Sequence, residues 1–456
     1  MTLSAMPHRA DCKALPKLFL LGLYALVLLV PPLLGILGAA AGHADDTLGR
    51  IGKNLGLIAF AMVAMQFVLS ARIRWIERPF GLDAVLRFHR RMGMWAGLFL
   101  IIHPLLLALG ESGPELLYKI EVPWFIWFGR IALLLVATQV AVTIFRRSID
   151  LKYESWRQLH LVIAAVVLVL AFTHSWSGGG SLGSPAMKAY WIALATTAVG
   201  AQIWHRGLRP RNLKRHLYRV RSTKGESHEV ATIVLEPDEG GPVAEFLPGQ
   251  FHFLRAVDAI VDIPHEEHPF TISSCPTERR HFASSIKCSG DFTAKIPKIQ
   301  EGDRFAIDGP FGRFSYVLHP AETHLIFIAG GIGITPLMSM LRHMRSTHRE
   351  DLSVTLLYGN TAAEDIVFHR ELDEIAESGA PRLEVIHVLS HPDLAGGWNG
   401  ETGHINREMI AASLPNDLTK TGVYLCAPPG MMSEISGIIL DLGVPKTRIH
   451  LEAFSY

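Results

Sequence analysis

Six apolar stretches in the first half of the chain constrain its fold more than any other feature of the sequence. Each approaches or reaches the roughly 20 residues that an α-helix needs to cross a bilayer. They cover residues 18–40, 55–73, 92–109, 124–145, 159–176 and 187–204. The sequence therefore predicts a multidomain membrane protein in which residues 1–205 form an all-α bundle of six transmembrane helices.

The first stretch can be read in two ways. Lys13 and Lys17 precede it, as basic residues precede a secretory signal. Its 23 residues exceed the roughly 7–15 of a signal h-region, so we expect it to be retained as a helix.

Charge and cysteine content exclude several other classes of protein. The formal net charge of the 456 residues is +1, which gives no electrostatic argument for nucleic acid as a partner. The cysteines lack a CxxC pair or a metal-ligand spacing, so neither a disulfide framework nor a zinc site is predicted. These cysteines are Cys12, Cys275, Cys288 and Cys426.

Basic residues predict how the bundle is oriented. They cluster between the second and third stretches and between the fourth and fifth, and cytoplasmic loops carry such an excess. The clusters are Arg72, Arg74, Arg78, Arg87, Arg90 and Arg91, and Arg146, Arg147, Lys152 and Arg157. The amino terminus and the chain after residue 204 are then predicted to be cytoplasmic.

The rest of the chain has the composition of a soluble protein with two further domains. Residues 206–318 contain short alternating segments separated by Gly and Pro, which predict an antiparallel β-barrel. In residues 319–456, apolar strands alternate with helical patterns, which predicts an α/β domain with a parallel sheet.

Two of the predicted membrane helices carry histidines with the same spacing. His89 and His103 are 14 residues apart in the third span, as are His160 and His174 in the fifth. Fourteen residues make about four helical turns and about 21 Å of rise, so each helix presents two imidazoles on one face. Both spans run in the same direction, which suits two bis-imidazole hemes, one near each leaflet.

Polar residues in such spans can also have a purely structural role. A histidine at a helix end is commonly interfacial, and His205 is interpreted in this way. The repeated spacing on two co-oriented helices favours a functional role, because ionisable residues are costly inside a bilayer. For Arg130, a contact with a heme propionate or another anion and a snorkelling side chain are both open.

The second half contains motifs that suit a flavin. The segment 268–274 reads HPFTISS, in which Phe270 can cover a flavin ring, Thr271 can reach its nitrogens and His268 can meet its phosphates. Downstream, residues 286–293 offer glycine and hydroxyl groups for contact with a pyrophosphate. The predicted FAD-binding residues are His268, Pro269, Phe270, Thr271, Ser274, Lys287, Gly290 and Thr293.

A glycine-rich turn follows the apolar strand at 325–329 and indicates a nicotinamide nucleotide. Glycines let phosphates approach the backbone at a helix amino terminus, although the pattern is not GxGxxG. The predicted NAD(P)-binding residues are Gly330, Gly331, Gly333, Thr335, Pro336 and Cys426. Cys426 closes a later strand, where its soft side chain can face the nicotinamide or be a buried structural cysteine.

Taken in this order, the motifs resemble those of the NADPH oxidase and ferric reductase superfamily, in its bacterial type. The resemblance runs from about Leu55 to Tyr456. It implies that His89 and His160 bind an inner b-type heme and that His103 and His174 bind an outer one. It also implies that Thr271, Cys426 and Phe454 act in hydride transfer, the Phe454 ring stacking on FAD with Tyr456 as second candidate.

Three departures from the family pattern bear on activity. Ala427 replaces the glycine of the usual CGPP, a small steric change. Asn360 and Thr361 stand where NADPH-selective members tend to place an arginine, which makes NADH or dual use an open hypothesis. Leu107 stands where some superoxide-producing members carry a further histidine.

The expected function is an NAD(P)H oxidoreductase of the bacterial inner membrane with a cytoplasmic dehydrogenase domain. NADPH or NADH would reduce FAD, and two b-type hemes would carry electrons to an extracytoplasmic acceptor, either dioxygen, giving superoxide, or ferric iron. The alternative is a membrane-anchored flavin reductase that serves a cytoplasmic or protein acceptor without heme. A transporter that uses the histidines as proton relays leaves the dehydrogenase half unexplained.

Overall fold

The computed structural model describes residues 14–39, 47–110, 112–146, 148–178, 182–392 and 397–453. The chain divides into two compact units, Met1–Pro210 and Arg211–Tyr456. Each unit has its own hydrophobic core, and the two are described separately below.

All regular secondary structure in the described part of the first unit is helical. Its elements are α1 (Ala14–Ala39), α2 (Thr47–Leu69), α3 (Arg74–Phe80), α4 (Leu82–Leu109), α5 (Glu115–Tyr118), α6 (Trp124–Phe145), α7 (Tyr153–Ser177), α8 (Pro185–Ile203), a π-helical turn (Trp204–Leu208) and α9 (Arg209–Leu213).

Within the described residues, five helices are long and apolar enough to cross a membrane: α1, α2, α4, α6 and α7. The sixth predicted span forms α8, a helix of 19 residues that does not meet the same criterion of length and composition. Five spans are thus supported, and the count of six stays a prediction.

Aromatic packing holds α8 against the other helices. The rings of Phe60 on α2 and Trp191 on α8 stack with centroids 4.7 Å apart, and the Trp191 indole donates to the Ser175 hydroxyl of α7 at 2.8 Å. Other large apolar side chains point outward, such as Leu134 with 66% and Val169 with 65% of their surface exposed. A helix surface of this kind suits lipid as its solvent.

The second unit begins with an antiparallel sheet of six strands. They are β1 (Leu217–Gly225), β2 (Val230–Pro237), β3 (Phe251–Asp258), β4 (His268–Thr271), β5 (Phe282–Lys287) and β6 (Arg304–Phe311). Their order is β4-β3-β6-β1-β2-β5. Just beyond β4, the Ser273 amide donates to the Ala283 carbonyl of β5 at 2.8 Å, which brings the two ends of the sheet together. Full closure into a barrel stays a prediction.

A parallel sheet completes the second unit and confirms the predicted α/β domain. Its strands are β7 (His324–Gly330), β8 (Ser353–Asn360), β9 (Arg382–Leu389), β10 (Glu401–Thr402), β11 (Thr421–Cys426) and β12 (Ile449–Glu452). Its helices are α10 (Ile334–Ser346), α11 (His369–Ser378), α12 (Arg407–Ser413) and α13 (Pro429–Asp441). The strand order is β10-β9-β8-β7-β11-β12, and every residue of the inner strand β11 is buried, as expected when both faces of a sheet are covered.

A buried carboxylate fixes the last strand of this sheet. Glu322 precedes β7 and is 3% exposed. It accepts hydrogen bonds from the Tyr424 hydroxyl of β11 at 2.7 Å and from Nε2 of His450 of β12 at 3.0 Å. A Cβ atom built at Gly422 would overlap this carboxylate, so the strand needs a glycine there.

We expect Gly422→Ala to destabilise the second unit by about 1–3 kcal/mol, the usual range for overpacking a well-packed site. The measurement is the thermal unfolding midpoint of the detergent-purified full chain, followed by release of flavin fluorescence. Gly437→Ala is the matched control, because a Cβ at that α13 position meets nothing within 4 Å. Equal midpoints for the two variants would show that the Glu322 network does not limit stability.

Candidate functional site

The four predicted histidines form two pairs between α4 and α7. The ring centroids of His89 and His160 are 6.3 Å apart, and those of His103 and His174 are 6.5 Å apart. Each level of the helix pair therefore holds one imidazole from each helix.

These separations match what a shared metal ion requires. Two imidazoles bonded to one iron from opposite sides have centroids about 6.4 Å apart, taking a metal–nitrogen bond of roughly 2.0–2.1 Å and about 1.2 Å from nitrogen to centroid. The residues present thus fit bis-imidazole ligation at both levels.

Backbone carbonyls of neighbouring helices fix the outer pair. Nδ1 of His103 lies 2.8 Å from the Gly52 carbonyl oxygen of α2, and Nδ1 of His174 lies 2.7 Å from the Phe125 carbonyl oxygen of α6. A carbonyl only accepts, so each Nδ1 carries the proton and each Nε2 keeps a free lone pair for a metal. Sequence reasoning missed both carbonyls, and the only sequence signal near them is the GxxxG pattern of Gly52 and Gly56, which is typical of close helix packing.

Arg130 connects two helices of this unit. Its Nη2 donates to the carbonyls of Leu116 and Lys119 at 2.7 and 2.8 Å, and its guanidinium lies 4.8 Å from the centre of the Trp127 ring. The arginine therefore holds the short helix α5 against α6, a role that neither sequence interpretation included.

The predicted flavin stretch lies along β4 at one end of the antiparallel sheet. The His268 ring packs on the Phe292 ring with centroids 4.4 Å apart, and Phe270 stacks against the same ring at 6.0 Å. Pro269 pairs with Phe253 of β3. Thr271 is buried, and the buried Ser274 hydroxyl accepts the Ala283 amide at 3.1 Å.

The predicted pyrophosphate loop is organised around one hydroxyl. Oγ1 of Thr293 accepts the amides of Ser289 and Gly290 at 2.8 and 2.9 Å. Lys287 forms an ion pair with Glu229 at 2.9 Å, and the hydrogen bond from Lys287 holds the pKa of that carboxyl below its ordinary value. Both Lys287 and Glu229 line the cavity described next.

A cavity of about 490 Å³ opens beside the glycine-rich turn. Gly330 and Gly331 line it on one side, and Asn360 and Thr361 at the end of β8 line it on another. The remaining acidic residues on its wall are Asp365 and Glu434, and the remaining side chains include His404, Pro428 and Met431. It contains no arginine among the described lining residues.

Close backbone contacts explain the glycines of this turn. A Cβ at Gly330 would lie 2.8 Å from both the Met431 sulfur and Pro428 Cδ. A Cβ at Gly333 would overlap the Cys426 carbonyl. Thr335 is buried and donates to the Ile332 carbonyl at 3.0 Å, and Pro336, the third residue of α10, is also buried.

Besides Thr271, Cys426 and Phe454 are predicted to act in hydride transfer, and the structure describes only Cys426 of these two. Cys426 is fully buried, and burial raises the pKa of its thiol well above the usual range. The cavity is lined by Pro428 and Met431, which follow it in the chain. Phe454 and Tyr456 lie outside the described residues.

Helix α10 forms hydrogen bonds to the backbone that follows β4, a contact that sequence reasoning missed. Ser339 donates to the Ser274 carbonyl at 2.9 Å, and Nη1 of Arg342 donates to the Ser273 carbonyl at 2.5 Å. The remaining nitrogens of Arg342 make a bidentate pair with Glu371 of α11 at 2.7 and 2.6 Å. One helix thus starts at the glycine-rich turn and holds the predicted flavin stretch.

Comparisons with known proteins match both halves of the chain. Residues 55–171 match the family described as ferric reductase like transmembrane component, and residues 327–436 match the oxidoreductase NAD-binding domain. The first match contains His89, His103 and His160 and ends three residues before His174.

Curated relatives resemble the second half. The chain is 30% identical over 203 residues to NADH-cytochrome b5 reductase 1 of Dictyostelium discoideum, which is 44% of this chain and 68% of that protein. It is 28% identical over 267 residues to the glycine betaine monooxygenase reductase subunit of Pseudomonas aeruginosa, 56% of this chain and 67% of that protein.

This protein belongs to the ferric reductase and NADPH oxidase superfamily. As a member, it is an integral membrane NAD(P)H oxidoreductase with a domain that binds FAD and a nicotinamide nucleotide. Some cytochrome b5 reductases are covered less fully, and the chain spans 55% of the Candida glabrata protein. Among solved structures, the FAD/NAD-binding domain of Vibrio cholerae nitric oxide dioxygenase has a TM-score of 0.46 at 24% identity, covering 52% of this chain and 98% of that one.

We expect NADH to be the better donor. The cavity carries Asp365 and Glu434, and its lysine is already paired with Glu229, so the two negative charges of a 2′-phosphate would meet little compensation. Introducing Thr361→Arg should raise kcat/KM for NADPH roughly tenfold to a hundredfold, from a charge-assisted contact of about 1.5–3 kcal/mol. Initial rates with both nucleotides measure this.

Thr361→Gln is the matched control, because it adds length without charge. Selectivity of the unmodified enzyme for NADPH above about a hundredfold would contradict the expectation. So would an equal gain from both Thr361 variants, since the effect would then not be electrostatic.

We expect Arg342→Lys to slow reduction of the flavin by NADH by about tenfold or more while leaving nucleotide affinity unchanged. Lysine cannot make the bidentate pair, and a misplacement near 1 Å can cost about a hundredfold in rate. Stopped-flow absorbance of the flavin gives the rate, and its dependence on NADH concentration gives the affinity. Arg370→Lys is the control, because the Arg370 side chain is 94% exposed and pairs with Glu374 on the same helix. Equal rates for the two variants would contradict coupling through α10.

Proposed function

We propose that this enzyme takes a hydride from NADH or NADPH and delivers single electrons to an acceptor on the far side of the membrane. The observation that carries the proposal is the pair of imidazole–imidazole separations, 6.3 and 6.5 Å, inside a domain that matches a ferric reductase transmembrane component. Packing alone gives no reason for two such pairs with the same 14-residue spacing.

In this proposal the histidines hold two b-type hemes. His89 and His160 ligate the inner heme, and His103 and His174 ligate the outer one. When bound, FAD would supply the conversion of a two-electron donor into single electrons, and the hemes would supply one-electron transfer through an apolar layer that itself conducts none. The carbonyls of Gly52 and Phe125 support the assignment, because they orient the outer imidazoles with Nε2 available.

The reductase residues position the two-electron chemistry. Phe270 and Thr271 would hold the flavin, together with His268, Pro269 and Ser274. The loop containing Gly290 and Thr293 would hold its pyrophosphate. Gly330, Gly331 and Gly333, with Thr335 and Pro336, would hold the phosphates of the nicotinamide nucleotide. Cys426 is assigned to the nicotinamide, Phe454 to the flavin face that the nicotinamide must reach, and Lys287 to FAD. Lys287 also lines the cavity.

The charge pattern of the loops supports a cytoplasmic location for the dehydrogenase domain. Membrane lipid surrounds the helices, and the bacterial type of the sequence motifs favours the bacterial inner membrane. The acceptor is then extracytoplasmic, either dioxygen, which yields superoxide, or ferric iron.

The test is the optical spectrum of the detergent-purified, heme-supplied protein before and after anaerobic addition of NADH. We expect sharp absorption bands of b-type heme, close to two hemes per chain, and reduction of both hemes by the nucleotide. His103→Ala should lose about one heme while keeping its flavin, because it removes one ligand of the outer pair. Trp176→Phe is the control and should keep both hemes. Trp176 lies on α7 two residues from His174 but is not a proposed heme ligand.

A spectrum with flavin and no heme would contradict this proposal. It would favour the membrane-anchored flavin reductase that serves a cytoplasmic or protein acceptor. Heme that is bound but not reduced by NADH or NADPH would also contradict it.

A further inference from the structure

A glycine of a neighbouring helix lies against each imidazole of the outer pair. A Cβ atom built at Gly56 of α2 would lie 2.7 Å from Nδ1 and 2.9 Å from Cε1 of His103. A Cβ at Gly129 of α6 would lie 2.8 Å from both Nδ1 and Cε1 of His174. Any side chain at either position would force the ring to move.

The two contacts are built in the same way. On α2, the carbonyl that binds the imidazole belongs to Gly52 and the contacting glycine is four residues later. On α6, the carbonyl belongs to Phe125 and the contacting glycine, Gly129, is again four residues later. The helix pairs α2–α4 and α6–α7 therefore hold their outer histidines by equivalent backbone positions.

The same register can be followed to the inner pair. Moving 14 residues toward His89 on α4 corresponds to moving 14 residues from Gly56 along the antiparallel α2, and this leads to Ser70, the first residue after α2. The equivalent step from Gly129 on α6 leads to Thr143. Residues with a Cβ thus occupy the inner positions that correspond to the two outer glycines.

The imidazole planes of the two pairs differ accordingly. The rings of His103 and His174 are inclined at 80°, close to perpendicular, whereas those of His89 and His160 are inclined at 57°. The carbonyl bond fixes the position of each outer ring and the adjacent glycine gives it room to take this angle.

We propose that Gly56 and Gly129 are positioning residues that hold the outer histidines with nearly perpendicular planes, which makes the outer heme spectroscopically distinct from the inner one. This inference rests on the proposed heme ligation. Neither glycine touches the reacting groups as a ligand, and both act through the imidazole beside them. Partners of metal-binding histidines typically affect metal affinity about 10-fold to 100-fold when changed.

The experiment is electron paramagnetic resonance of the oxidised full-length protein, together with the heme content per chain. Perpendicular axial imidazoles give low-spin ferric heme a highly anisotropic spectrum, and less perpendicular planes give a more rhombic one. We expect Gly56→Ala to shift the outer signal, identified as the one lost in His103→Ala, toward the rhombic form or to deplete that heme alone. Gly129→Ala, on the other helix pair, should do the same.

Gly200→Ala in α8 is the matched control, because a Cβ there meets nothing within 4 Å, and it should leave both signals unchanged. Gly52→Ala is a milder variant, since its Cβ would lie 3.1 Å from Leu106 Cβ and 3.2 Å from the His103 carbonyl; it replaces Gly56→Ala if that variant fails to retain flavin and the inner heme. If the wild type binds no heme, the proposed function fails. If the wild type binds two hemes and the Gly56 and Gly129 variants match Gly200→Ala, only the glycine inference is overturned.

Discussion

An imidazole inside an apolar layer needs a partner for each of its ring nitrogens, because an unpaired buried polar group costs several kcal/mol. In the outer pair, one nitrogen of each ring is bound to a backbone carbonyl of a neighbouring helix. The second nitrogen, Nε2, then remains available to a metal. The packing of α2 on α4 and of α6 on α7 supplies these carbonyls at the depth of the outer pair.

Much of the membrane unit could be predicted from the sequence, because the relevant signals are local. Apolar length places the helices, and a separation of four turns places two histidines on one face. The partners of those histidines could not be predicted, since Gly52, Phe125 and Gly129 act through a backbone carbonyl or a missing side chain. Every residue type has a backbone carbonyl, and which glycine lies against an imidazole depends on which helices are neighbours.

The reductase unit divides in the same way between local and non-local signals. Alternating and continuous apolar segments distinguish its antiparallel sheet from its parallel one, and the glycine-rich turn lies where its strand and helix pattern predict. The reason for two of its glycines is visible only in three dimensions, because Gly330 and Gly333 make room for the segment from Cys426 to Met431 nearly a hundred residues later. The network around Glu322 is likewise non-local, joining residues more than 100 positions apart.

Helix α10 also limits how this sequence can change in length. Its amino end follows the glycine-rich turn, and two turns later Ser339 and Arg342 hold the backbone at Ser273 and Ser274. Inserting or deleting one residue between these points would rotate one end about 100° relative to the other. A change of register would break both contacts at once, so the distance between Gly333 and Arg342 should behave as a fixed length.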